Sequence, residues 1–162
     1  MIYVNKHKIL HYNKKDYKCS IGLNGFTRNK IEGDKKTPIG TYNFGNLFIR
    51  TDRVKNLNTK FKLIEIKKGM AWSNNPNELN YNQLIKVKYN HEESFFRSDN
   101  IYDILLVINY NINPTIPFKG SAIFMHVSLD TYKPTAGCIG IKLNDFIEIL
   151  ESLEPNEKIT IL

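Results

Sequence analysis

The amino-acid sequence predicts one mainly β domain with a single amphipathic helix near its C-terminal end. Three observations lead to this fold class. The 162 residues match the usual size of one domain. The nine Tyr and nine Phe residues favour the half-buried surface of a sheet, and short apolar runs alternate with turn-forming residues along the chain. A content of 41% hydrophobic and 24% charged residues excludes a disordered chain.

Each predicted strand is a short apolar or alternating run bounded by turn-forming residues. We expect strands at 1–4, 8–12, 17–22, 41–44, 47–50, 61–66, 84–87, 102–110, 121–127 and 158–162. The run Tyr102–Tyr110 is nearly all apolar, which predicts a strand that is buried on both faces. Gly45 and Asn46 are expected to form the turn of a hairpin. The polar stretch Gly25–Gly40 and the segment Trp72–Asn77 are expected to be loops.

The helix is predicted from apolar residues that recur every three or four positions between Leu143 and Leu153. Asn144 is the expected N-cap, and Asp145 favours the first turn because its charge complements the helix dipole. Pro155 marks the end of the helix, since proline cannot continue it.

Charge and hydropathy exclude several classes of function. A net charge of +7 favours anionic partners, but the basic residues are scattered and no aromatic-interleaved basic patch suggests nucleic-acid binding. No apolar run reaches the ~18 residues that a transmembrane helix needs. The segment Met1–Lys6 lacks the stages of a secretory signal, so the compartment is left open. We expect a monomer.

Cys138 and His126 are the candidates for chemistry. A thiolate is a strong nucleophile, and a neighbouring imidazole can generate it from a thiol. His126 ends a predicted buried strand, and the polar loop that follows returns to Gly137 and Cys138. Glycine at this position allows a close approach of substrate to the backbone. The alternative interpretation is purely structural: a buried small thiol and a hydrogen-bonded histidine at the end of a strand.

Several segments of the sequence resemble the L,D-transpeptidase (YkuD-type) family. His126-Val127-Ser128 followed by Thr135-Ala136-Gly137-Cys138-Ile139 is similar to the active-site motif, and Gly33-Asp34-Lys35-Lys36-Thr37-Pro38-Ile39-Gly40 is similar to a second family motif. The resemblance runs from about residue 17 to residue 150. It implies a β-sandwich of mixed sheets with long loops, and an enzyme that processes peptidoglycan stem peptides in the cell envelope without a cofactor or metal.

The resemblance also implies roles for individual residues. Cys138 would be the nucleophile and His126 the base that maintains its thiolate. Backbone amides around Gly137 and Cys138 would bind the oxyanion, and Thr135 and Ala136 would belong to the loop that shapes this site. The imidazole would be oriented by the backbone at Val127 or Ser128. The candidates for the substrate groove are Arg97, Trp72, Asp34 and Thr37. Each also has a structural alternative: a surface salt bridge for Arg97, a place in the core for Trp72, and the turns of the long loop for Asp34 and Thr37.

Two positions differ from the family pattern. Ala136 stands where many members have His, and Gly140 stands where many have Arg. Without that Arg the site lacks a guanidinium group, whose fixed N–H donors are suited to binding a carboxylate. Arg97 is the candidate to replace it. The acceptor is left open: an amine gives a transpeptidase, water gives a carboxypeptidase or amidase, and a peptide-binding module without turnover is a further alternative.

The remaining cysteine is expected to have no role in the chemistry. Cys19 lies in a predicted strand and should be an inert buried thiol. Two cysteines without a local pair of ligands do not make a zinc site. We therefore expect no metal.

Overall fold

Fourteen strands and one helix form the regular structure in the computed structural model, which describes residues 1–86 and 93–162. The strands are β1 (Ile2–Val4), β2 (Ile9–Tyr12), β3 (Lys15–Ser20), β4 (Phe26–Thr27), β5 (Thr37–Pro38), β6 (Gly40–Ile49), β7 (Leu63–Glu65), β8 (Met70–Trp72), β9 (Leu84–Lys86), β10 (Glu93–Ser94), β11 (Ile104–Ile108), β12 (Phe124–Val127), β13 (Ile139–Ile141) and β14 (Lys158–Ile161). The helix α1 is Leu143–Ser152. Within the described ranges no helix is long and apolar enough to cross a membrane.

Eight of these strands form a closed barrel. Around its wall they follow the order β11-β12-β13-β3-β2-β1-β14-β6, and β6 pairs with β11 to close the ring. The sheet is mixed, because β1 is parallel to β14 and β12 is parallel to β13 whereas the other neighbours in the ring are antiparallel. The mainly β class with one C-terminal helix is confirmed. The two packed sheets of the expected sandwich correspond to opposite walls of this one barrel.

The strands β6, β11 and β12 supply two separate cores, because successive side chains of a strand point to opposite faces. Inward-facing residues from all eight barrel strands fill the barrel, and the apolar face of α1 joins them. The outward faces carry a second cluster with the small sheet β10-β8-β9: Phe48, Trp72, Phe95, Leu105, Val107 and Phe124. All of β11 is consequently buried, which confirms the prediction made from the apolar run Tyr102–Tyr110.

The predicted hairpin at Gly45-Asn46 is wrong, because β6 continues without a turn from Gly40 to Ile49. The glycine serves close packing instead. A Cβ at Gly45 would lie 2.5 Å from Oδ1 of Asn109 and 3.2 Å from Cβ of Val107. The register between β6 and β11 shifts at the same place, where two residues of β6, Gly45 and Asn46, oppose the one residue Val107 of β11. Gly45 therefore lies in a β-bulge of β6 itself.

Several other boundaries differ from the predictions. The two expected loops are wrong in part, because Gly25–Gly40 contains β4 and β5 and Trp72–Asn77 begins in β8. Two further differences have local causes. The strand expected from Ser121 begins only at Phe124, because Ala122 has a φ of 53° and leaves the extended conformation. The helix begins at Leu143 with Lys142 as its N-cap and no side-chain capping bond, so the prediction of Asn144 as N-cap is wrong. Val87, the expected end of a strand, lies outside the described residues.

Candidate active site

Strand pairing brings Cys138 and His126 to the same face of the barrel wall. The parallel strands β12 and β13 pair His126 with Gly140 and Met125 with Ile139. Met125 and Ile139 point into the barrel. Since side chains alternate along a strand, His126 and the residue just before Ile139 point outward together.

A cavity of about 280 Å³ opens on this outer face. Cys138 and His126 both line it, and each is almost buried, with 8% and 7% of its surface exposed. Its other walls are Ser20, Lys30, Glu32, Gly33, Asn74, Arg97, Ile101, Tyr102, Ser121, Ala122, Val127, Ser128, Leu129, Lys133, Pro134, Thr135 and Ala136. Most of the polar groups belong to loops, and the barrel strands form the floor.

The sulfur of Cys138 is held by the backbone at the start of β12 and of the residues just before it. The Phe124 N–H donates to Sγ over 3.4 Å, and the thiol donates to the carbonyl oxygen of Ala122 over 3.1 Å. The left-handed backbone at Ala122 aims this carbonyl. A donor on one side favours a negative sulfur, and an acceptor on the other receives the proton of the thiol. The nucleophile candidate is thus in a fixed position in its neutral form.

The imidazole of His126 is oriented by a backbone carbonyl. Its Nδ1 lies 2.9 Å from the oxygen of Val127; because a carbonyl can only accept, Nδ1 carries the hydrogen and Nε2 keeps its lone pair. The edge of the ring packs against Tyr102, with centroids 5.6 Å apart. Burial lowers the pKa of His126 to about 4. The imidazole is therefore neutral at pH 7 and able to accept a proton.

The hydroxyl of Thr135 fixes the loop that precedes the sulfur. It donates to the carbonyl oxygen of Cys138 over 2.6 Å and accepts the N–H of Gly137 over 3.1 Å. Gly137 has a φ of 140°, and a Cβ there would lie 2.8 Å from the carbonyl oxygen of Lys36, so only glycine fits. Because the N–H of Gly137 is already bonded to Thr135, it does not point to an oxyanion in this conformation. Ala136 lines the cavity and is exposed.

The two positions expected to orient the imidazole have different partners. The carbonyl oxygen of Val127 is the partner of His126. Ser128 instead donates its hydroxyl to Leu129 and its N–H to the carbonyl oxygen of Ile141. Ser128 still lines the cavity.

The four groove candidates occupy different places. Arg97 lines the cavity, but its guanidinium makes a two-pronged bond to Asp99, at 2.8 and 2.6 Å. Trp72 lies in the outer core against Phe95 and Phe124 rather than in the cavity wall.

Asp34 and Thr37 lie behind the cavity wall. Thr37 is fully buried, and its hydroxyl accepts the N–H of Gly22. Asp34 binds Lys30, which does line the cavity. Both residues therefore stabilise the loop behind the site rather than facing a ligand.

Gly140, where many family members have Arg, lies between His126 and Ser20 across three strands. A Cβ at this position would collide with the hydroxyl of Ser20 and would lie 3.1 Å from Cβ of Ser128. No larger side chain fits without rearrangement. The two serines fill the space that a longer residue would need.

Asn82 is a structural residue of the site that sequence reasoning missed. Its Oδ1 accepts the indole N–H of Trp72 over 2.8 Å and the N–H of Ala122 over 3.0 Å. Its Nδ2 donates to the carbonyl oxygens of Tyr110 and Asn111. Four bonds thus fix Asn82, and one of them holds the backbone of Ala122, whose carbonyl accepts the thiol of Cys138. Asparagine in a turn-rich segment is too common to have indicated this role.

A thiol and a neutral imidazole that face one cavity are the components of cysteine-dependent acyl transfer. This class is consistent with the family to which the chain belongs. The model of the YkuD L,D-transpeptidase catalytic domain matches residues 1–161, and the chain is a member of that family. Its members are cysteine enzymes that modify peptidoglycan and take peptidoglycan peptides as substrates.

Two solved structures are also similar to the chain. One is the helical cell shape determining protein Pgp2 from Campylobacter jejuni, with 17% identity and a TM-score of 0.45 over 99% of this chain and 46% of that one. The other is a variant of the same protein, with 18% identity and a TM-score of 0.44 over 99% of this chain and 45% of that one. This chain thus spans less than half of their length. No curated protein matches the chain.

Proposed function

We propose that this protein is an L,D-transpeptidase that acts on peptidoglycan stem peptides through a thioester on Cys138. The observation that carries the proposal is the shared cavity of Cys138 and His126, in which the bond from Nδ1 to Val127 leaves Nε2 as a proton acceptor. The family supplies the class of substrate. The proposed roles of Cys138 and His126 lead to two half-reactions.

In the first half-reaction the thiol proton passes to Nε2 of His126, and the thiolate attacks the carbonyl carbon that precedes the terminal D-amino acid. The resulting oxyanion collapses, the C–N bond breaks, and the leaving amine takes the proton from the imidazolium. A thioester remains on Cys138. Burial of His126 assists the return of the proton, because it disfavours the charged ring.

In the second half-reaction an amine of another stem attacks the thioester carbonyl and gives its proton to His126. The C–S bond breaks, a new amide forms, and the proton returns to the sulfur. The chemistry of the two residues is the same if water replaces the amine. Exclusion of water from the cavity then decides between cross-linking and trimming.

Mass spectrometry of isolated muropeptides incubated with the protein tests the proposal. The expected products are cross-linked or exchanged stems together with free D-amino acid, and a trapped adduct on Cys138. Stems that are only shortened would identify water as the acceptor and a carboxypeptidase. Cys138→Ser is expected to remove the turnover.

Cys19→Ser is the matched control, because Cys19 is buried inside the barrel away from the cavity. It should retain turnover. If the wild-type protein binds muropeptides without changing their mass, and Cys138 forms no adduct, the enzymatic proposal is wrong and a peptide-binding module takes its place.

A further inference from the structure

Lys30 is a buried lysine in the wall of the cavity. Only 3% of its side chain is exposed, and its aliphatic stem packs tightly against Gly120, where a Cβ would lie 2.8 Å from Cε. Burying an ammonium group costs several kcal/mol unless the charge is compensated. Lys30 therefore needs a counter-ion, which Asp34 supplies.

The ammonium group lies beside the backbone that carries the nucleophile. A Cβ built on Gly137, the residue before Cys138, would be 3.5 Å from Nζ of Lys30. Lys30 and Cys138 line the same cavity. No side chain at Gly137 separates the charge from the peptide that leads into Cys138.

The counter-ion of Lys30 is already shared with other donors. Nζ lies 2.6 Å from Oδ1 of Asp34, and the carboxylate of Asp34 also accepts the N–H groups of Ile31 and Lys36. Burial raises the pKa of Asp34, but these hydrogen bonds and Lys30 outweigh it and lower the pKa below its usual value. The backbone N–H groups carry no net charge, so Lys30 and Asp34 form an ion pair, of which the cation lines the cavity and the anion does not.

We propose that Lys30 is a positioning residue whose ammonium group stabilises the thiolate of Cys138. Its charge acts on the sulfur across the short Gly137 backbone, and because Lys30 and Cys138 are both buried, solvent screens this interaction less than it would at exposed positions. The inference rests on the proposed role of Cys138 as nucleophile. It explains how a thiolate forms beside a neutral histidine, which provides no positive charge of its own before it accepts the proton.

Other ionisable side chains of the described residues also face the cavity. Glu32, which opposes a thiolate, accepts the hydroxyls of Tyr81 and Ser121. The remaining ones are Arg97, paired with Asp99, and Tyr102, His126 and the exposed Lys133. Among these cations Lys30 is the most deeply buried.

The pH dependence of the alkylation of Cys138 by iodoacetamide measures the proposed effect in the full chain, with the modified peptide quantified by mass spectrometry. Lys30→Met should raise the midpoint by about one pH unit, as expected for loss of a nearby opposite charge, and should slow alkylation about tenfold below the midpoint. Asp34→Asn should lower the midpoint, because it frees the charge of Lys30. Circular dichroism establishes that each variant is folded.

Lys133→Met is the matched control, because it removes the same charge from an exposed position on the same cavity. Its midpoint should move by much less, since solvent screens it. An unchanged midpoint in folded Lys30→Met overturns the inference, as does an equal shift in Lys133→Met. If Lys30→Met does not fold, the direction of the shift in Asp34→Asn decides.

Alkylation needs no peptidoglycan, so the two proposals can fail separately. If the wild-type protein shows no turnover but Lys30→Met shifts the midpoint of alkylation, only the proposed function is refuted. If the wild-type protein cross-links muropeptides but the midpoint of alkylation is the same in Lys30→Met, only the role of Lys30 is refuted.

Discussion

Acidification should weaken the fold through His126. The folded protein holds this imidazole neutral down to about pH 4, whereas the unfolded chain takes up a proton near pH 6.5, the ordinary pKa of a histidine side chain. Between these two values the unfolded state binds one more proton than the folded state, so the free energy of unfolding falls as the pH falls. The slope is about 1.4 kcal/mol per pH unit, and the full loss is about 3 kcal/mol.

The variant His126→Gln isolates this contribution, because glutamine stays neutral over the whole range. Urea unfolding is measured at pH 7, 6 and 5, with fluorescence of the single tryptophan, Trp72, as the probe. Trp72 is buried in the outer core next to the site, so its emission reports unfolding. We expect wild type to lose stability relative to His126→Gln as the pH is lowered, with the two curves parallel above pH 7.

The reasoning is refuted if wild type and His126→Gln lose stability in parallel between pH 7 and pH 5. In that case the imidazole of the folded protein would take up its proton as readily as that of the unfolded chain. The neutral base on which the proposed chemistry depends would then be absent at mildly acidic pH.

Three further predictions concern the thiols and the backbone around the site. Iodoacetamide should label Cys138 and leave Cys19 intact in a peptide map, because burial raises the pKa of Cys19 to about 12; labelling of Cys19 first would contradict the assignment. Asn82→Ala should lower the free energy of urea unfolding by about 3 kcal/mol, because it leaves buried groups such as the indole N–H of Trp72 and the N–H of Ala122 without a hydrogen-bond partner. A loss below about 1 kcal/mol would show that water replaces the amide. Gly137→Ala should lower the melting temperature and slow labelling of Cys138, because its Cβ meets a backbone carbonyl; wild-type melting would contradict this.

The sequence was sufficient to predict features that depend on local patterns. The run Tyr102–Tyr110 indicated a strand buried on both faces, and the spacing from Leu143 to Leu153 indicated the helix. Both predictions depend only on neighbouring residues, because the buried face of an element determines the spacing of its apolar residues. Cys138 and His126 could be singled out because few residue types carry out nucleophilic chemistry.

Features that depend on distant pairings could not be predicted. Barrel closure requires β6 to meet β11, and no local pattern records that pairing. The same contact explains why Gly45 suggested a turn, since a glycine needed for close packing and a glycine needed for a bend look alike in one sequence. Asn82 and Lys30 belong to the same class: their roles come from partners brought together by the fold.

The place of β14 between β1 and β6 has a consequence for the order of folding. On the ribosome β1 is made well before β14, so one of the two neighbours of β1 in the wall emerges only with Lys158–Ile161. Until then the ring has a gap, and β6 lacks a partner on that side. Long-range pairings of this kind slow folding. We therefore expect the cavity that holds Cys138 and His126 to form only after the segment that closes the ring has left the exit tunnel.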